Sequence, residues 1–194
     1  MRVIALDTST QITTCALLEV ASFAGDRAEP RSGGALEAEH RVIWEKEVPG
    51  RAGDVLPDAL GDPRDFDAIA VGLGPGSFTG LRVGLAAAKA LSYARRLPIA
   101  GASSLHAIAL DRKGQVHAAT DARKGELFVQ KFENGHPDGP VRIVMAADFP
   151  EKPLLIAPPA RNVARLCLPR LRGAAYDVQA CFALAPDYVQ GFPR

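Results

Sequence analysis

The chain has 194 residues, with 23 Lys and Arg against 22 Asp and Glu and a formal net charge of +1. It lacks the basic excess that marks a general nucleic-acid binder. Its 47% hydrophobic and 23% charged residues supply a full core and exclude global disorder. The length fits one ordinary domain or two small lobes. The start has no apolar leader and no run approaches membrane-spanning length, so a soluble, cytoplasmic protein is expected. Cys15, Cys167 and Cys181 are scattered without a CxxC pair and read as reduced, mostly buried thiols.

In chain order, "RVIALD" (Arg2 to Asp7) is a short apolar run ending in an acid and reads as a buried strand. "TTCALLEV" (Thr13 to Val20) reads as a second strand, and the polar "TSTQI" between them predicts a hairpin. Ala21 to Glu39 reads as a polar connection, long for a hairpin loop. His40 to Val48 alternates and predicts a third antiparallel strand. "GDVLPDALGD" offers a short helical stretch. Phe66 to Gly74 is a strand with a glycine exit, and Thr79 to Arg95 is helical in composition. Leu97 to Ser104 is a short strand, with Ser103 or Ser104 placed to cap the next helix. The order β-β-β-α-β-α-β-α predicts a mixed sheet with helices on its faces.

Beyond Gly114 the pattern starts again. "QVHAATDARKGELFVQKF" repeats strand, Asp, polar turn, strand, and puts Asp121 where Asp7 stands. Two lobes of related design are expected, 1–110 and a reduced 111–194. A strand at Pro153 to Ala157, a helix within "ARNVARLCLPRL" and an apolar tail complete the second.

The stretch "GLGPGSFTGLRVGL" (Gly72 to Leu85) tests for phosphate binding. It has neither the lysine of a P-loop nor the glycine spacing of a dinucleotide fold. A tight turn capped by Ser77 or Thr79 stands beside the weaker idea of an anion at the helix start. In the helix, Gly80, Gly84, Ala87 or Ala88, and Leu91 share one face of small side chains. No broad polar face remains, so the helix is expected to be covered on both sides, within the domain or by another subunit.

Asp7 and Asp121 frame a second question. In two-lobed ATPases of the actin, Hsp70 and sugar-kinase kind, each lobe opens with a strand, an Asp and a glycine-bearing hairpin that binds phosphate. Here the first turn, Thr8 to Gln11, has no glycine, and the second is Ala122 to Gly125. A nucleotide cleft between Asp7 and Asp121 therefore stands beside the simpler reading of two turn-forming aspartates. His40, His106, His117 and His136 form no metal-binding pair and there is no HExxH, which disfavours a metallopeptidase.

Three segments carry a family resemblance: "IALDTST", "DAIAVGLGPGSFTGLRVGLAAAKALSYARRLPIAGASSL" and "DARKGELF". Together they resemble the TsaB (YeaZ) family, and the closing "PDYVQ" is similar to its terminal proline-tyrosine segment. The resemblance implies a two-lobed actin/Hsp70-like (ASKHA, RNase H-like) α/β fold. It implies a non-catalytic dimerisation subunit for the TsaD enzyme, which together with the TsaE ATPase forms threonylcarbamoyladenosine at position 37 of ANN-decoding tRNAs. No cofactor is expected on this chain; ATP and metal belong to the partner subunits, and tRNA is met through the complex. A stand-alone ATPase-like enzyme of the same fold is the alternative. The family's dimer surface, carried over, falls on Thr79, Gly80, Val83, Gly84, Ala87, Ala88 and Leu91. A Gly84→Arg change is then expected to block the partner while sparing the monomer, and a homodimer through the same surface is allowed. The segment before Asp67 departs from the family by being about two helical turns shorter.

Overall fold

The computed structural model describes residues 1–21, 40–62 and 66–189, so the connection expected over Ala21 to Glu39 lies, after its first residue, outside the described residues. The first sheet has the order β3-β2-β1-β4-β5. Its strands are β1 (Arg2–Asp7), β2 (Ile12–Val20), β3 (His40–Pro49), β4 (Ala68–Gly72) and β5 (Ile99–Ala102). β1 pairs antiparallel with β2, from Arg2↔Glu19 to Asp7↔Thr14, and parallel with β4. β4 in turn pairs parallel with β5. The central strands β1 and β4 are buried on both faces, which is why they read as unbroken apolar runs.

Alternate residues of these strands point to opposite faces. One face, with Ile4, Leu6, Cys15, Leu17, Ile69 and Val71, is covered by α1 (Ala52–Leu60) and α2 (Phe78–Arg95) through Leu56, Leu85 and Ala88. The other presents Val3, Ala5, Ala16, Leu18, Ala68 and Ala70 to α4 (Ala160–Leu171), which brings Val163, Ala164, Cys167 and Leu171. Alanine on both sides lets α4 lie close to the sheet.

The second sheet runs β6-β7-β8, with β9 also on β7. Its strands are β6 (Gln115–Arg123), β7 (Glu126–Glu133), β8 (His136–Pro137) and β9 (Arg142–Met145). The β6–β7 hairpin repeats the β1–β2 hairpin, as the sequence repeat suggests. The helix α3 (Ser104–Ala109) packs Leu105 and Ile108 against Ala118 and Phe132 of this sheet. The strand expected at Pro153 to Ala157 is reduced to one parallel bridge, Ala118↔Leu154. α4 and the short α5 (Val178–Ala183), assigned by sequence to 111–194, return to the first sheet and to α2. Together the elements form a mixed α/β architecture of two sheets with helices packed on them.

Candidate partner interface

Four glycines of the Gly72 to Leu85 stretch touch one short turn. A Cβ on Gly72 would lie 1.8 Å from Asp7 Oδ2, one on Gly76 2.2 Å from the Ser9 carbonyl, one on Gly80 2.1 Å from the Thr8 carbonyl, and one on Gly84 2.2 Å from Thr8 Oγ1. Side chains cannot occupy any of these gaps, so Gly76 and Gly80 let backbone approach backbone, and Gly72 and Gly84 make room for the Asp7 and Thr8 side chains. Hydrogen bonds fix the contact: Thr8 Oγ1 donates to the Gly80 carbonyl at 2.7 Å, and the Ser77 N–H donates to the Ser9 carbonyl at 2.7 Å. Ser77 caps α2 by accepting the Gly80 N–H at 3.2 Å.

Asp7 is the centre of this junction and is fully buried. Its Oδ1 accepts the Ser9 N–H at 2.8 Å and the Ser9 hydroxyl at 2.6 Å, and its Oδ2 accepts the Ser104 hydroxyl at 2.5 Å. Ser104 in turn accepts the Gly74 N–H at 3.0 Å, while Ser103 takes over the cap of α3. Burial pushes the Asp7 carboxyl above the ordinary carboxylate range, against the lowering effect of the Ser104 and Ser9 hydrogen bonds. One carboxylate thus ties the end of β1, the glycine loop and the start of α3 together.

The oxygens of Asp7, considered above for a nucleotide cleft, are bonded inside the fold. Asp121 is exposed and lies on a shallow cleft of about 220 Å³ between the lobes, with Thr10, Ser77, Thr120 and Arg123. Asp121 Oδ1 accepts the Arg123 N–H at 2.7 Å, the turn-forming role the sequence allowed. Among the described residues, no three His, Cys, Asp or Glu side chains converge to hold a metal ion. All three cysteines are buried and free, and burial pushes the Cys15 and Cys167 thiols up to about 12. No described helix is long and apolar enough to cross a membrane.

The residues assigned to an interface from sequence divide between the inner and outer sides of α2. Gly80, Gly84 and Ala88 are buried within the chain, and Val83, Ala87 and Leu91 are half-buried against the core under α2. Only Thr79 of that set is exposed. Gly80, Gly84 and Ala88, turned onto Thr8 and the sheet, are closed to a partner, whereas Val83, Ala87 and Leu91 keep part of their surface open beside Thr79. The outer face of α2 instead presents Thr79, Ala86, Ala90 and Ala94, a strip of small residues at helical spacing.

Aromatic residues frame that strip at both ends. Phe78 and Tyr188 pair at 5.8 Å, and Tyr93 and Phe182 at 6.0 Å between ring centroids. The four are 54%, 50%, 59% and 61% exposed, a concentration of apolar surface that marks contact sites. Arg82 lies 3.9 Å over the Phe78 ring and donates to the Tyr188 hydroxyl at 3.4 Å. Lys89 donates to the Phe182 carbonyl at 3.0 Å, and the Asp187 N–H donates to the Leu73 carbonyl at 2.7 Å. The C-terminal segment is thereby laid along α2 and widens its outer face. Sequence reasoning missed Phe78, Tyr93, Phe182 and Tyr188, although "PDYVQ" had pointed to the last of them.

Comparison with known proteins places this architecture. The family model for TsaD, tRNA N6-adenosine threonylcarbamoyltransferase, matches residues 46–167. The fold is also that of a solved YeaZ structure from Pseudomonas aeruginosa, with a TM-score of 0.64 and 22% identity over 97% of this chain and 99% of that one. The class is therefore a TsaD-like member of the actin/RNase H-like fold. Within it, the chain is 34% identical over 147 residues to the tRNA threonylcarbamoyladenosine biosynthesis protein TsaB of Escherichia coli, 70% of this chain and 58% of that protein. A Mycobacterium tuberculosis protein is 37% identical over 115 residues, 59% of this chain and 54% of its own length. The chain belongs to the TsaB/YeaZ family, and it spans somewhat over half the length of these curated relatives.

Proposed function

We propose that this chain is a non-catalytic subunit that docks, through the outer face of α2 and the C-terminal segment laid on it, onto a TsaD-like catalytic subunit. In this reading the complex, with a TsaE-like ATPase, attaches the threonylcarbamoyl group to adenosine 37 of tRNA in the cytoplasm. ATP and metal sit in the partner subunits, and tRNA is contacted through the complex. The observation that carries the proposal is the outer face itself, a strip of Ala86, Ala90 and Ala94 between two exposed aromatic pairs. Small residues let a second helix approach closely, and aromatic anchors at each end supply the buried area on which interface affinity rests. The hydrogen bonds that close Asp7 into the fold support an accessory role over a stand-alone ATPase.

Co-purification with the TsaD-like subunit of the same organism tests the proposal, followed by a tRNA modification assay. A stable heterodimer at micromolar concentration is expected, with modification that depends on this chain. Absence of the heterodimer, together with modification that proceeds without the chain, would overturn it.

A further inference from the structure

In the first sheet β4 pairs parallel with β1 and carries β5 on its far edge. The second sheet stops short of this plan. Leu154 takes the parallel place beside β6: its N–H donates to the His117 carbonyl at 2.7 Å, and its carbonyl accepts the Ala119 N–H at 3.0 Å. Among the described residues no strand follows on the far side. Leu155, Ile156 and Ala157 continue the chain, and their N–H and carbonyl groups bond to no described residue. Leu155 is 58% and Ile156 40% exposed.

A groove of about 640 Å³ runs beside this stretch, lined across from it by Ile108, Arg112 and Glu47. Two other charged residues of its lining are already engaged, Asp111 by Arg165 and Asn162, and Arg161 by Glu45. Arg112 and Glu47 carry no side-chain partner among the described residues. One free cation and one free anion make a poor seat for a polyanion such as RNA. A row of unpaired main-chain donors and acceptors, by contrast, is matched by another peptide backbone. Prolines at 153 and 158 bracket the open stretch and limit it to the few residues between them.

We propose that Leu155–Ala157 and the groove beside it form a strand-addition site for a short extended segment of a partner protein, with apolar residues at alternate positions and an acidic residue facing Arg112. The main-chain groups give binding, Leu155 and Ile156 flank the added strand, and Arg112 sets a preference for the acid. The site shares no residue with the outer face of α2, so it stands or falls separately from the docking reading above.

The test is an NMR titration of the isotope-labelled full chain with a capped hexapeptide alternating Val and Thr and carrying one Glu. Saturable shifts of the Leu155, Ile156 and Ala157 amides are expected, with a Kd of about 1 mM or tighter. Leu155→Pro, which removes a donor, should weaken binding tenfold or more. Arg112→Ala should weaken the Glu peptide several-fold and leave its Gln counterpart unchanged, and this variant keeps the test decisive if the proline variant does not fold. Unmoved amides at several millimolar peptide, or equal binding by both variants, would overturn the proposal.

Discussion

Gly80→Ala and Gly84→Ala each unfold or strongly destabilise the protein, by about 3 kcal/mol, although alanine is the better helix former by about 1 kcal/mol. The new methyl group at residue 80 would stand 2.1 Å from the Thr8 carbonyl, and at residue 84 2.2 Å from Thr8 Oγ1. Neither neighbour can yield cheaply. The carbonyl belongs to the turn after β1, and Thr8 Oγ1 is bonded to the Gly80 carbonyl. Pushing α2 away would also lift Leu85 and Ala88 from the core. A loss of this size is a large part of the ~5–15 kcal/mol that holds a domain together. Gly84→Arg then removes the fold before it can affect a partner, which reverses the effect expected from sequence. Chemical denaturation of the two alanine variants checks the claim, and wild-type midpoints would refute it.

Asp7→Ala is the second large effect, a loss of about 3 kcal/mol. It leaves the Ser9 N–H, the Ser9 hydroxyl and the Ser104 hydroxyl without their acceptor in a sealed site, at about 1–3 kcal/mol for each that finds no substitute. Asp7→Asn keeps an acceptor and the shape, so it costs less. The two variants also differ in pH dependence. Native Asp7 takes up its proton at higher pH than the unfolded chain, whose aspartate titrates near the ordinary 3.8. Between those two points the native state binds more protons, so stability rises as pH falls through the native value and levels off below 3.8. Stability of the wild type relative to Asp7→Asn therefore improves as pH is lowered toward 4. A difference that stays flat would show that Asp7 titrates as an ordinary carboxylate, and one that moves the other way that its hydrogen bonds outweigh burial.

Much of the architecture was legible because strand and helix periods differ and both faces of the first sheet are buried. Runs such as Val3 to Leu6 and Ala68 to Val71 could only be central strands. The return of α4 to the first sheet was not legible. A helix carrying Val163, Ala164 and Cys167 fits either sheet, and only the alanine-rich face of β1 and β4 decides. The glycines showed that something comes close to α2, but not what. The answer, Thr8, lies 72 residues earlier in the chain. The outer aromatic pairs were hidden for the same reason, since Tyr93 meets Phe182 only after α5 folds back. Arg82 and Lys89 help to hold the C-terminal segment on α2 through partners about a hundred residues away in the chain, which spacing alone does not reveal.

In the proposed complex the two faces of α2 divide the work, the glycine face inside the lobe and the alanine strip toward the partner. The most direct measurement is the affinity of the TsaD-like subunit for Ala90→Arg, with the melting temperature of the variant measured alongside. Ala90 is exposed, so the variant should melt like the wild type while its affinity falls about thirtyfold or more, some 2 kcal/mol. Wild-type affinity in a folded Ala90→Arg protein would contradict the account and place the partner on another surface.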